Sequence, residues 1–290
     1  MSMQNIMMRS FIVNIFLVII KIIFGVIFGS VALIADGVHS ISDLLSDIFV
    51  ILGIKHSLKP ADDDHPFGHG KFEYVLSFIL GISILTIAIN LGREIINKWD
   101  EVVKIPSIYS LIVVLAVILA KLVLARYLIR TGKEIDSEII FASGKESLTD
   151  VISSFVVIFG IVSVLIGNRF NIAFLLKGDK IASIVISLFI IKIAVEIIYQ
   201  AIVSLQGKAV KKEISEPYRK MIKSVKGVID VDHMHMVAFG PYYQILVDIS
   251  LNGDLTVKEG HDIAKEVSRI LYASEKITHV VVHVNPEGEQ

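Results

Sequence analysis

Two short patterns lie within long apolar stretches of the chain: His39-x-x-x-Asp43 and Glu146-x-x-x-Asp150. An ionisable side chain at membrane depth costs about 2.5–3.5 kcal/mol on insertion scales, so it is a functional hypothesis by default. Residues four apart stand one turn apart on the same helix face. Two such pairs on facing helices would bring one imidazole and three carboxylates to a single point, a ligand set for a divalent cation. The His39 stripe also carries Asp36 and Asp47, which fall near the two ends of the span and are expected to be hydrated there. The alternatives are a hydrogen-bonded His39–Asp43 pair, and a Glu146–Asp150 pair hydrated in the loop before its span. The recurrence of the pattern in two different spans favours the metal.

Two further concentrations of ligand-type residues follow. The loop Lys59-Pro-Ala-Asp-Asp-Asp-His-Pro-Phe-Gly-His-Gly-Lys71 places Asp62, His65 and His69 close together in sequence. It reads as a second metal site or as a charged, solvated loop. Near the C-terminus come Asp232, His233, His235, Asp248, His261, His279 and His283, so five of the nine histidines fall in one short region. Alternation along Val231–Met236 puts His233 and His235 on one strand face and Asp232 on the other.

These residues need elements to position them. The chain has 290 residues, 54% of them hydrophobic, and a formal net charge of −1. That balance gives no global basic field for nucleic acid. Cysteine is absent, which excludes disulfides and thiolate ligands. Six apolar segments are each long enough to cross a hydrocarbon core of about 30 Å. They run Ser10–Phe28, Val31–His56, Phe72–Lys98, Ser107–Arg130, Glu138–Gly167 and Lys180–Leu205. The apolar N-terminal run lacks a small-residue cleavage site and reads as a first span rather than a signal peptide. The second and fifth spans carry the polar pairs and should lie inside the bundle.

Arg9, Lys55, Lys59, Lys71, Arg126, Arg130, Lys133, Lys208, Lys211 and Lys212 fall on one side of the bilayer. Arg93, Lys98, Lys104, Arg169, Lys177 and Lys180 fall on the other. The richer side should be cytoplasmic, with both termini inside. A boundary is expected at Gly207: residues 1–207 form the transport domain and 208–290 a small cytoplasmic domain. There Glu213–Lys226 reads as a helix, Val228–Ala238 and Tyr242–Leu251 as strands around a Gly240-Pro241 turn, Val257–Tyr272 as a helix capped by Thr256, and Ile277–Val284 as a strand. The order αββαβ implies a small open α+β sandwich.

The chain resembles the cation diffusion facilitator family of divalent-metal/proton exchangers over nearly its whole length. Four stretches carry the likeness: Ser-Val-Ala-Leu-Ile-Ala-Asp36-Gly-Val-His39-Ser-Ile-Ser-Asp43, the Lys59–Lys71 loop, Ser147-Leu-Thr-Asp150-Val, and the closing Val-Val-His283-Val-Asn285-Pro286. The resemblance implies six transmembrane helices, a cytoplasmic ferredoxin-like domain, a homodimer and no enzymatic activity. It implies a transport site at His39, Asp43, Glu146 and Asp150 and a loop site at Asp62, His65 and His69. It also implies cytoplasmic-domain ligands near the dimer interface at Asp232, Asp248, His261 and His283. The partners so implied are a divalent cation, protons, the lipid bilayer (the plasma or inner membrane) and a second copy of the chain, with no organic cofactor and no nucleic acid.

Departures from the family pattern bear on the metal. Zinc-type members usually carry histidine at the position of Glu146, and often at those of Asp232 and Asp248; Asn285 replaces a frequent aspartate. Oxygen donors in place of imidazole favour Mn²⁺ or Fe²⁺ over Zn²⁺, whereas His39 pulls the other way. In some relatives a lysine matching Lys71 pairs with an acid just after the sixth helix, where this chain reads Leu205-Gln206-Gly207-Lys208. The expected function is proton-coupled efflux of Zn²⁺, Mn²⁺ or Fe²⁺ by alternating access. The alternative is a membrane metal sensor whose cytoplasmic domain binds cations without transport. An intramembrane metalloenzyme would show a pattern such as His-Glu-x-x-His, and the chain has none.

Overall fold

The computed structural model describes residues 3–101, 104–134 and 138–287. Six long helices come first: α1 (Met3–Phe28), α2 (Val31–Ser57), α3 (Phe72–Asn97), α4 (Tyr109–Glu134), α5 (Glu138–Phe170) and, after the one-turn α6 (Ala173–Leu176), α7 (Gly178–Leu205). Then follow α8 (Lys212–Lys223), β1 (Asp230–Phe239), β2 (Tyr242–Leu251), α9 (Val257–Tyr272) and β3 (Ile277–Pro286). Two compact units result, one of Met1–Ile48 with Leu80–Glu196, the other of Phe49–Ile79 with Ile197–Gln290.

Among the described residues, five helices are long and apolar enough to cross a membrane, within α1, α3, α4, α5 and α7. The sixth long helix, α2, has 27 residues and carries the Asp36–His39–Asp43 stripe. Large apolar side chains such as Phe16, Leu119 and Phe159 point outward, as they must where the surroundings are lipid rather than water. In the first unit α4 packs against α1 and α5.

The start of α2 is held tightly, and that fixes the stripe it carries. Gly29 ends α1 at φ 74°, a left-handed conformation that glycine adopts without a Cβ clash. The Ser30 amide then donates to the Gly25 carbonyl at 3.0 Å, closing the last turn. Ser30 caps α2, its Oγ accepting from the Leu33 amide at 3.1 Å. Its hydroxyl donates to Asp179 Oδ1 at 2.8 Å, and Asp179 Oδ2 accepts from the Val31 amide at 2.6 Å. A carboxylate from the first turn of α7 thus sits on the positive end of α2. Further along, a Cβ at Gly37 would come within 2.6 Å of Ile22, so the absence of a side chain lets α1 approach α2 closely.

In the second unit the sheet order is β1-β2-β3, with β1–β2 antiparallel and β2–β3 parallel. The αββαβ order and its elements agree with the sequence reading, with boundaries moved by a few residues in α8, β1 and β3. Alternation puts Ile245, Val247, Ile249 and Leu251 of β2 on the covered face, where they pack with Ile222 of α8 and Val267 and Leu271 of α9. Full burial of each such side chain contributes about 1.5–3 kcal/mol. α9 begins with a reciprocal cap: the Glu259 amide donates to Thr256 Oγ1 at 3.3 Å, and the Thr256 amide to Glu259 Oε2 at 2.8 Å.

Candidate metal centre

Helix periodicity brings α2 and α5 together through their polar stripes. Ligand atoms of His39, Asp43 and Asp150 all lie within 4.8 Å of one another, in a place where His39 and Asp150 are buried and Asp43 is half-buried. His39 Nε2 is 3.8 Å from Asp150 Oδ1. His39 Nδ1 is buried with no hydrogen-bond partner among the described residues, a deficit that a cation or water would relieve. Glu146, expected as the fourth ligand, is exposed one turn earlier on α5 and lies outside this cluster.

Asp36 overturns the expectation of a hydrated end-of-span carboxylate. It is fully buried, and Lys21 Nζ of α1 stands 2.8 Å from Oδ2. The hydroxyls of Ser153 and Ser154 on α5 donate to its Oδ1 and Oδ2 at 2.6 and 2.9 Å. Lys21 also donates to Ser40 Oγ at 2.9 Å, one residue past His39. A buried ion pair survives only when its remaining lone pairs and protons are satisfied, and here the two serines do that. The side chain of Asp47 lies outside the described residues.

A second buried lysine enters the centre itself. Lys121 Nζ of α4 donates to Asp150 Oδ2 at 2.5 Å and to Asn14 Oδ1 of α1 at 2.9 Å. Neither lysine figured in the sequence reading. Both were visible there as charges inside apolar spans, but single residues in α1 and α4 lack the i,i+4 repetition that drew attention to α2 and α5.

The loop forms a second group: ligand atoms of Asp62, His65 and His69 also fall within 4.8 Å. Asp62 Oδ1 is 3.1 Å from His65 Nδ1, and Oδ2 is 3.4 Å from His69 Nε2. The His65 amide donates to Asp62 Oδ1 at 2.7 Å, and the two backbones exchange hydrogen bonds at 3.2 Å, so the turn itself aims the side chains. Slight burial raises the Asp62 carboxyl, but the hydrogen bonds from His65 and the neighbouring imidazoles outweigh it and hold the group below its ordinary value. The Phe67 ring meets His279 edge-on at 4.9 Å, beside a cavity of about 320 Å³ that His69 and His279 also line.

The residues expected as ligands in the C-terminal domain divide. Asp248 pairs in register with His233 on one side and His283 on the other, giving a row across the open face of the sheet. Asp232 joins this face, contrary to simple alternation, because a bulge between Val231 and His233 resets the pleat. It accepts from Ser250 Oγ at 2.7 Å and from Asn285 Nδ2 at 3.2 Å. His261 lies exposed on α9, whose apolar side covers the opposite face. Within one chain the structure therefore does not bring His261 to the other three.

Comparison with known proteins settles the family. Residues 7–206 match the cation efflux transmembrane domain, and residues 210–287 match the cytoplasmic domain of cation efflux proteins. The chain belongs to the cation diffusion facilitator family. It is 34% identical to the manganese efflux system protein MneP of Bacillus subtilis (strain 168), across 99% of this chain and 97% of that protein. Similarity extends to manganese efflux system protein MneS of the same strain, at 29% identity over 92% and 90% of the two chains. The magnetosome protein MamB of Paramagnetospirillum magneticum (strain ATCC 700264 / AMB-1) is 28% identical over 95% and 90%. This cation diffusion facilitator is thus a multi-pass membrane protein of the cation efflux class.

Its Lys71 finds a partner in the backbone. Lys71 Nζ donates to the Leu205 carbonyl at 3.3 Å and stands 5.5 Å from the centre of the Phe239 ring. Leu205 is the last residue of α7, so its carbonyl lies at the negative end of the helix dipole.

Proposed function

We propose that the protein exports a divalent transition-metal cation, Mn²⁺ foremost, from the cytoplasm in exchange for protons. The observation that carries this reading is the convergence of His39, Asp43 and Asp150 at one buried point of the bundle. Two carboxylates and one imidazole make an oxygen-rich set suited to Mn²⁺ or Fe²⁺, and the names of two relatives, MneP and MneS, point the same way. Glu146 completes the set through its i,i+4 relation to Asp150, entering when the site faces the side on which that carboxylate is exposed.

Metal binding requires the imidazole neutral and the carboxylates ionised, so protons and metal compete for the same atoms. An inward proton gradient then drives release of the metal outside. His39 is the natural proton carrier, since imidazole is the side chain whose charge changes nearest neutral pH. Asp62, His65 and His69 collect cations at the loop. Asp232, Asp248 and His283 on the sheet, with His261 supplied across a homodimer contact, sense cytoplasmic metal. The transport domain ends near Gly207, and both termini lie in the cytoplasm, at the plasma membrane.

The test is Mn²⁺ flux into proteoliposomes with wild-type protein and with Asp43→Ala and Asp150→Ala. Loss of flux in both variants, with binding at the loop retained, is the expected result. Flux that survives either substitution would remove the site assignment. The sensor reading remains the competitor only if wild-type protein moves no metal at all.

A further inference from the structure

Two buried lysines stand beside the centre, and they are bonded differently. Lys21 belongs to a closed set: both oxygens of Asp36 are taken, by Lys21, Ser153 and Ser154. Lys121 belongs to an open one. It holds only Oδ2 of Asp150, while Oδ1 faces His39 Nε2 across 3.8 Å, longer than a hydrogen bond. Its second partner, Asn14 Oδ1 at 2.9 Å, is neutral and sits on α1 rather than on the helices that carry the expected ligands. The ammonium therefore bridges a ligand of the centre and an acceptor that is not one.

We propose that Lys121 is a tethered counter-cation of the transport site, holding Asp150 while the site is empty and withdrawing onto Asn14 when a divalent cation binds. The inference rests on the transport-site reading given above. A divalent cation on Asp150 and an ammonium on the same carboxylate repel each other at a separation of a few ångströms, and water is too scarce there to screen them. One of the two must leave. Without Asp150 the ammonium would be a buried unpaired charge, which is among the costlier arrangements in a protein interior. Asn14 lowers that cost by keeping one strong acceptor in place, so the lysine moves rather than being expelled.

Two consequences follow for the cycle. In the empty carrier the ammonium offsets the Asp150 charge, so the vacant site can reverse its facing without carrying an uncompensated carboxylate through the bilayer. In the loaded carrier α4 loses its bond to α5 and keeps its bond to α1, which makes occupancy of the site a determinant of how those helices are tied. Lys121 is thus a positioning residue that acts through Asp150, and it weakens metal binding in order to permit return.

The experiment uses full-length protein, with Mn²⁺ as probe. The transport-site signal is defined as the component of Mn²⁺ binding that Asp43→Ala removes. Lys121→Gln should tighten that component by about tenfold or more, since a competing cation is gone, while turnover in proteoliposomes at saturating Mn²⁺ falls by a similar factor. Lys121→Arg should restore both values towards wild type. Asn14→Ala should do the opposite of Lys121→Gln and raise the Kd, because the withdrawn ammonium loses its acceptor. A folded Lys121→Gln protein with unchanged or weaker binding would overturn the proposal. Should that variant not fold, an unchanged Kd in Asn14→Ala would overturn it equally. Failure of the underlying site shows separately, as an Asp43→Ala protein that binds and transports Mn²⁺ like the wild type.

Discussion

His39 Nε2 on α2 and Asp150 Oδ1 on α5, both buried, face each other across 3.8 Å. Ligand atoms bonded to one cation at about 2.0–2.2 Å stand roughly 3–3.6 Å apart. The observed gap is therefore too long for a hydrogen bond and close to the span of two ligands around one ion. Closing it requires a movement of well under one helical turn.

The identity of the residue at position 146 should set metal preference. Glu146→His replaces an oxygen donor by nitrogen and softens the set. The ratio of Zn²⁺ to Mn²⁺ transport should rise by roughly tenfold, equivalent to about 1.4 kcal/mol. Competition flux with both metals present measures it; an unchanged ratio would mean that Glu146 never reaches the ion.

The Lys21–Asp36 pair should behave as a structural unit. Asp36→Asn leaves a buried ammonium without its carboxylate and should cost about 3–5 kcal/mol. Adding Lys21→Met to that variant should recover much of the loss, because the orphaned charge is gone. Thermal unfolding of the purified protein in detergent reads both changes, and a double variant no better than the single one would count against the pairing.

Asp179 should matter through the start of α2. Asp179→Ala removes the acceptor of the Ser30 hydroxyl and the Val31 amide at the buried start of α2. A loss of roughly 1–3 kcal/mol is expected for donors left without partners. A melting temperature indistinguishable from wild type would show that α2 is anchored elsewhere.

The loop carries a pH signature. Asp62 is held below its ordinary value in the folded protein. A depressed folded value stabilises the turn above the unfolded carboxylate value of about 3.9, and the contribution is lost as pH falls through the lower folded value. The His65 amide should therefore stay protected from exchange at pH 5 and lose protection in stronger acid. In Asp62→Asn that acid-dependent step should vanish, which amide exchange measured against pH would reveal.

Much of this was legible in the sequence because the two relevant periodicities are simple. The 3.6-residue repeat placed His39, Asp43, Glu146 and Asp150 on two helix stripes, of which Glu146 alone proved exposed and outside the cluster, and the two-residue repeat placed His233 and His235 on one strand face. Thr256 marked the start of α9, and the structure adds Glu259 as its reciprocal partner. What escaped were relationships that no local period encodes. Asp36 looked like an end-of-span residue until Lys21, Ser153 and Ser154 arrived from two other helices. Lys121 drew no attention before α4 laid it against Asp150. Asp232 changed faces because one extra residue in β1 shifted the pleat, and an inserted residue leaves the polar pattern of a short strand almost unaltered.

The most direct test of the central claim is Mn²⁺ transport by wild-type protein in proteoliposomes loaded with a pH-sensitive dye, with and without an imposed proton gradient. The expected result is saturable Mn²⁺ movement accompanied by protons moving the opposite way, accelerated by the gradient and absent from Asp43→Ala. Metal movement that leaves the dye unchanged and ignores the gradient would contradict the exchanger.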